Sequence, residues 1–125
     1  MNRSLNVLGL PLAPCSHAPR TGWFRDGCCN TDENDRGLHT VCAHVTTEFL
    51  EFLRDHGNDL ITPAMQYGFP GLKPGDQWCV VAASWAQAFK AGKACPVVLE
   101  STHQDTLRLI PIEALMAHAI VKNEA

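Results

Sequence analysis

The sequence predicts an α+β fold: a single compact domain with a mixed sheet of four to five short strands and about three helices packed on it. Three observations lead there. The chain has 125 residues, about one domain. A chain of this size buries roughly two-thirds of its unfolded surface, so it folds without needing disulfides or metals. Short β-branched apolar runs alternate with segments that open on helix-capping residues, the order expected of helices packed on a sheet. Hydrophobic residues make up 46% and charged residues 18%, which is ordinary for a globular chain and argues against disorder. Residues 1–125 are therefore read as one domain, with a core over 6–118 and frayed ends.

Leu5-Asn6-Val7-Leu8 reads as a short strand. Gly9 to Gly37 carries Pro, Gly, Asp and Asn throughout with no sustained period, so it reads as loop, and loops that long tend to be functional. Leu38 to Val45 is a strand by its β-branched content, with His39, Val41 and Ala43 on one face and Thr40, Cys42 and His44 on the other. Thr46 then caps a helix. Val45 and Leu50 form its hydrophobic staple, Phe49, Leu50, Phe52 and Leu53 give its apolar side, and Gly57 ends it.

Asn58 to Asp76 is a second long loop, in which Pro74-Gly75 suits the centre of a type II turn. Gln77 to Ala83 is apolar on both faces, as in a central strand. Ser84-Trp85-Ala86-Gln87 reads as a capping box for a helix burying Trp85, Ala88 and Phe89 and closed by Gly92. Pro96 to Leu99 is a strand, Thr102 to Leu107 one helical turn and Arg108 to Ile110 a short strand. Pro111 opens the last helix, with Ile112, Leu115, Met116 and Ala119 inward, and the tail frays after Val121.

The charge balance excludes some partners. Ten basic and thirteen acidic residues leave a net charge of −3. The basic residues are scattered rather than striped, which argues against a nucleic-acid backbone. No apolar run of about eighteen residues offers a membrane span. Met1 to Ala13 lacks the long apolar stretch of a signal peptide. The chain is read as cytoplasmic, with its thiols reduced. A secreted disulfide scaffold is the alternative for six cysteines in a short chain. Oligomeric state is not readable.

Chemistry concentrates between Cys15 and His44, which hold four of the six cysteines and three of the six histidines. Cys28 and Cys29 are neighbours, with Cα atoms ~3.8 Å apart, whereas a relaxed disulfide prefers roughly 4.4 Å or more. A bond between them would be a redox switch, Arg25 nearby would favour the thiolate, and the plain alternative is one buried and one exposed cysteine. Cys15/His17 and Cys42/His44 are two Cys-x-His pairs whose donors suit tetrahedral zinc, although the spacing matches no zinc-finger pattern. His39 is either a structural histidine or a base paired with Cys28 or Cys29 across the loop. Asp26, Asp32, Glu33 and Asp35 fail the spacing of a calcium loop and read as a solvated, turn-forming face. Glu100 and His103 flank a strand end, a common place for acid–base groups; the plainer and preferred reading has Thr102 capping a turn and His103 exposed. Tyr67, Phe69 and Pro70 either wall a ligand pocket or pack the second loop down.

Several blocks carry a resemblance. They are Pro14-Cys15-Ser16, Thr21 to Cys29, His39 to Ala43, Gly57 to Leu60, Phe69 to Asp76, Pro96 to Glu100 and Thr102-His103. Over about Asn6 to His118 they resemble domain-of-unknown-function family 2237, small and mostly bacterial proteins. The resemblance implies no activity, cofactor or catalytic residue. Family members tend to carry arginine near Gln77 and cysteine near Val81; this chain departs at both, which counts against a metal site using that cysteine.

The resulting expectation is a small-molecule pocket lined by Cys and His. Cys28 or Cys29 is the nucleophile or redox centre, His39 the base, and Arg25 and Asp26 the orienting ion pair. The alternatives are a zinc-binding interaction module using Cys15, His17, Cys42 and His44, and a non-catalytic protein with packed cysteines.

Overall fold

The computed structural model describes residues 4–120. The fraying expected after Val121 lies outside the described residues. Three α-helices form among the described residues: α1 (Thr47–Asp55), α2 (Ala82–Lys90) and α3 (Ile112–Ala117). The sheet is smaller than the sequence predicts. It has two antiparallel strands, β1 (Val41–His44) and β2 (Gln77–Val80), with Val41 opposite Val80 and Cys42 opposite Cys79. Among the described residues, no helix is long and apolar enough to cross a membrane.

The four-to-five-strand sheet is thus corrected to two strands with isolated bridges, and each lost strand has a cause. Asn6 is buried, and its Oδ1 accepts from Leu8 N at 2.9 Å and Leu10 N at 3.0 Å. That side chain folds its own segment into a turn in place of a ladder. Val97 bridges Ala43 on one side and Ala119 on the other. Pro96 before it has no N–H to give, and Leu99–Ser101 winds into a 3-10 turn, so pairing stops at a bridge. The amides of Leu109 and Ile110 both donate to Thr106 O at 3.0 Å, so Arg108 to Ile110 closes a 3-10 helix over Gln104–Arg108.

Local signals fare better. Thr46 Oγ1 accepts from Phe49 N at 3.2 Å, Val45 and Leu50 are both buried, and Phe49 and Leu53 complete the inward face of α1. Gly57 takes φ +93° just past the helix. Asp76 N donates to Lys73 O at 3.0 Å across Pro74-Gly75, with Gly75 at φ +98°, as a type II turn requires. The capping box at Ser84 is not used: α2 starts earlier, with Val81 as cap and the Ala82 amide donating to Leu38 O at 2.9 Å. A tertiary partner there replaces the side-chain cap. Phe89 and Met116 face outward, at 41% and 58% exposure, while Ala114 turns inward in α3.

Strand alternation sorts the sheet into two faces. Val41, Ala43, Trp78 and Val80 point into the main core with Phe49, Leu53, Trp85 and Leu115. Cys42 and Cys79 point the other way, into a small cluster with Cys15, Cys29 and Val98. Trp85 is fully buried, and its Nε1 donates to Cys95 O at 3.1 Å.

His103 is buried rather than exposed, and it caps the turn in place of Thr102: its Nδ1 accepts from Asp105 N at 3.0 Å. Thr102 Oγ1 instead donates to Val98 O at 2.8 Å inside the fold. Burial pushes the His103 pKa below 6.5, and Asp105 only partly opposes this. A base with a depressed folded pKa stabilises fully above its unfolded pKa and loses that contribution as pH falls. Unfolding midpoints are therefore expected to drop on acidification below about 6.5, and less so in His103→Asn, which keeps a capping acceptor. Equal pH slopes for the two proteins in urea titrations would contradict this.

Candidate functional site

Four of the six cysteines are paired, which corrects the expectation of reduced thiols. Cys15 bonds Cys42 and Cys29 bonds Cys79, with Cα separations of 5.7 and 5.2 Å. All four are buried. The long first loop is thereby tied twice to neighbouring positions of the sheet. Cys29 shares its sulfur with Cys79, so it makes no bond to Cys28 and holds no free thiol. Cys28 and Cys95 are the free cysteines. Burial raises the Cys28 pKa and Asp26 raises it further; burial pushes the Cys95 thiol up to about 12. Neither environment favours the reactive thiolate. Iodoacetamide on the native protein is expected to label Cys28 alone, slowly and faster at alkaline pH. Rapid labelling at neutral pH would contradict the raised pKa.

The hydrogen-bond partner of the His39 ring among the described residues is a carboxylate rather than a thiol. His39 Nδ1 lies 2.7 Å from Asp35 Oδ1. Asp35 is not part of a solvated face: it is only 2% exposed. Its Oδ2 accepts from His39 N at 2.8 Å and from Thr31 Oγ1 at 2.9 Å. Burial alone would raise the carboxyl's pKa. The hydrogen bonds from His39 and Thr31 and the imidazole's charge outweigh it, and the group is held below its ordinary 3.8. An ionised carboxylate only accepts, so Nδ1 carries the proton and donates. In the neutral ring Nε2 is then the basic nitrogen. The ring stacks on Trp23 at 5.6 Å between centroids and remains partly exposed.

His39 lines a cleft of about 250 Å³ with Arg25, Asp59, Tyr67, Phe69 and Trp78. A second hollow of about 300 Å³ adjoins it across Arg25, Tyr67, Phe69 and Trp78, and adds Arg20 and Pro70. Tyr67, Phe69 and Pro70 thus wall a cavity. The Arg25 guanidinium sits over the Trp78 ring at 5.2 Å and donates to Gly22 O at 3.0 Å. Among the described residues it makes no ion pair with Asp26, whose Oδ1 instead accepts from Cys28 N at 3.0 Å. Among the described residues, two that are not glycine take positive φ: Arg25 at +55° and Leu38, directly before His39, at +57°. Such strain costs of order 1 kcal/mol or more per residue and clusters at functional sites. Here Arg25 lines the cleft and Leu38 immediately precedes His39, which also lines it.

The remaining candidates scatter. Cys15 and Cys42 meet as a disulfide, but their partner histidines do not join them in one ligand group. His17 is exposed, its ring lying against Gly27. His44 is half-buried, and its Nδ1 has no hydrogen-bond partner. The ligand group among the described residues is all sulfur: Cys15, Cys29 and Cys79, whose Sγ atoms lie within 4.8 Å of one another. Sequence reasoning missed Asp35 and Cys79. The signal for the first was its i,i+4 spacing from His39; for the second, its place in a strand.

The family model described as "Uncharacterized protein conserved in bacteria (DUF2237)" matches residues 5–119, and the chain belongs to that family. No curated protein matches the chain.

Proposed function

We propose, from membership of a family without an assigned activity, that this protein binds a small anionic molecule in the Arg25–His39–Trp78 cleft. His39 acts there as an acid–base group and Asp35 positions it. The observation that carries the reading is the 2.7 Å Asp35–His39 contact beside Arg25, which makes no ion pair among the described residues. A buried carboxylate fixing one imidazole nitrogen, with the other left basic, is the arrangement general acid–base chemistry requires. Arg25 supplies charge, and Trp78 and Phe69 supply apolar walls for a ligand of modest size. Scattered charge favours a small molecule over nucleic acid or a membrane surface.

A thiol-dependent reaction has weaker support. It would rest on Cys28, since Cys29 is bonded to Cys79, and burial and Asp26 both disfavour the Cys28 thiolate. The paired cysteines then serve mainly as ties. They favour an oxidising setting over the cytoplasm expected from the sequence.

The test is a nitrogen-15 NMR titration with inorganic phosphate and with small carboxylates. Shifts centred on Arg25, His39 and the Trp78 indole are expected for one class. Arg25→Gly is expected to weaken that binding at least about tenfold (1.4 kcal/mol, one charge-assisted contact). Its stability should stay within about 1 kcal/mol, because glycine relieves the positive φ. No localised shift with either class, or unchanged affinity in the variant, rejects the reading.

A further inference from the structure

We propose that the reduced protein holds one zinc ion in a closed four-sulfur site formed by Cys15, Cys29, Cys42 and Cys79. The cleft plays no part in this; the inference rests on the other face of the sheet. Cys42 and Cys79 are register partners on β1 and β2, so both sulfurs leave the same face. The Sγ atoms of Cys15, Cys29 and Cys79 already lie within 4.8 Å of one another, and Cys42 Sγ is bonded to that of Cys15. Tetrahedral zinc with bonds of about 2.3 Å places its sulfurs roughly 3.8 Å apart, so side-chain rotations bring the set to a metal. All four residues are 5% exposed or less, and Val98 packs against them. A buried site with four protein sulfurs and no open position is structural rather than catalytic. Gln77 Nε2, 3.9 Å from Cys42 Sγ, supplies a donor to a thiolate.

The ion would tie together the same segments that the disulfides join, so the metal and the disulfides are alternative fastenings for one fold. The conversion balances. Each disulfide takes two electrons and two protons from a dithiol, which leaves as its own disulfide. The four thiols then release four protons as zinc binds four thiolates. This ligand set differs from the Cys15, His17, Cys42, His44 set that the sequence offers as an alternative reading.

The test uses the full chain reduced with a phosphine, which avoids competing thiols, followed by cobalt(II) and then zinc under anaerobic conditions. One equivalent of cobalt should bind, with the visible bands of a tetrahedral ion and the strong sulfur charge-transfer absorption of four thiolates. Zinc should displace it, and the oxidised protein should take up none. Cys28→Ser/Cys95→Ser, which leaves only the four site thiols, should bind as the parent does. The proposal is overturned if this variant, reduced, takes up no cobalt, whether it stays folded by circular dichroism or unfolds. Charge transfer for only two thiolates in the parent, with uptake lost in His17→Ala or His44→Ala, also overturns it.

Discussion

Replacing Cys29 and Cys79 together by alanine is expected to lower the unfolding free energy of the oxidised protein by about 4 kcal/mol. The pair is 50 residues apart in sequence. Closing a loop of that length removes chain entropy from the unfolded state on this scale; the 27-residue separation of Cys15 and Cys42 gives slightly less, about 3.5 kcal/mol. The effect should be felt fully here because the segment between the two loop cysteines has few other ties. It is held mostly to itself, through Cys15 N and Ser16 N donating to Gly27 O at 2.7 and 3.0 Å and Gly27 N donating to Thr21 O at 2.9 Å. Its hydrogen bonds to the sheet beside the disulfides run from Cys79 N to Thr21 Oγ1 at 2.8 Å and from Gln77 Nε2 to Cys15 O at 2.5 Å. A domain of this size has only about 5–15 kcal/mol to lose. Urea unfolding of the double variant against the oxidised parent measures the difference, and a loss under about 1 kcal/mol would mean that the loop is held by packing alone. Because Arg25 lies in this loop, the variant should also lose ligand affinity at the cleft while α1 and α2 keep their helicity.

What the sequence made legible was local. Thr46, Gly57 and Pro74-Gly75 announce their conformations because the interactions that fix them lie within four residues, and each forms as expected. The alternation in β1 was equally legible, since period two follows from backbone geometry alone. The edge strands were not. Whether Leu5 to Leu8 extends depends on the Asn6 side chain, which accepts from Leu8 N and Leu10 N and is held there by donating to Glu100 O at 3.0 Å, a partner 94 residues away. The cysteine pairing was hidden for the same reason: nothing near Cys29 in sequence points to Cys79. The Asp35–His39 spacing was visible but meant little, because four residues apart matters only where the chain turns back. It turns here through Leu38 N donating to Asp35 O at 3.1 Å and through Leu38 at φ +57°, a backbone state that leucine does not advertise.

Asp35→Ala is expected to cost about 3 kcal/mol. The carboxylate accepts three hydrogen bonds while buried, and its loss strands His39 N and Thr31 Oγ1, each worth roughly 1–3 kcal/mol when left unsatisfied. The pH dependence identifies the charge as the cause. The folded carboxyl titrates below its ordinary 3.8. A depressed acid contributes its full stabilisation above the unfolded pKa and loses it as pH falls through the folded value. The parent should therefore weaken on acidification below about 3.8, and the variant should lack that part of the slope. Asp35→Asn separates folding from chemistry. The amide oxygen still accepts from His39 N, but its NH₂ would face Nδ1 and drive the ring proton to Nε2. The fold should then survive, with a smaller stability loss than in the alanine variant, while the lone pair of Nε2 is lost to the proton. Long-range nitrogen-15 NMR of the imidazole reads the tautomer directly. An Nδ1–H tautomer in Asp35→Asn, or acid–base behaviour unchanged from the parent, would show that Asp35 supports the loop without positioning His39.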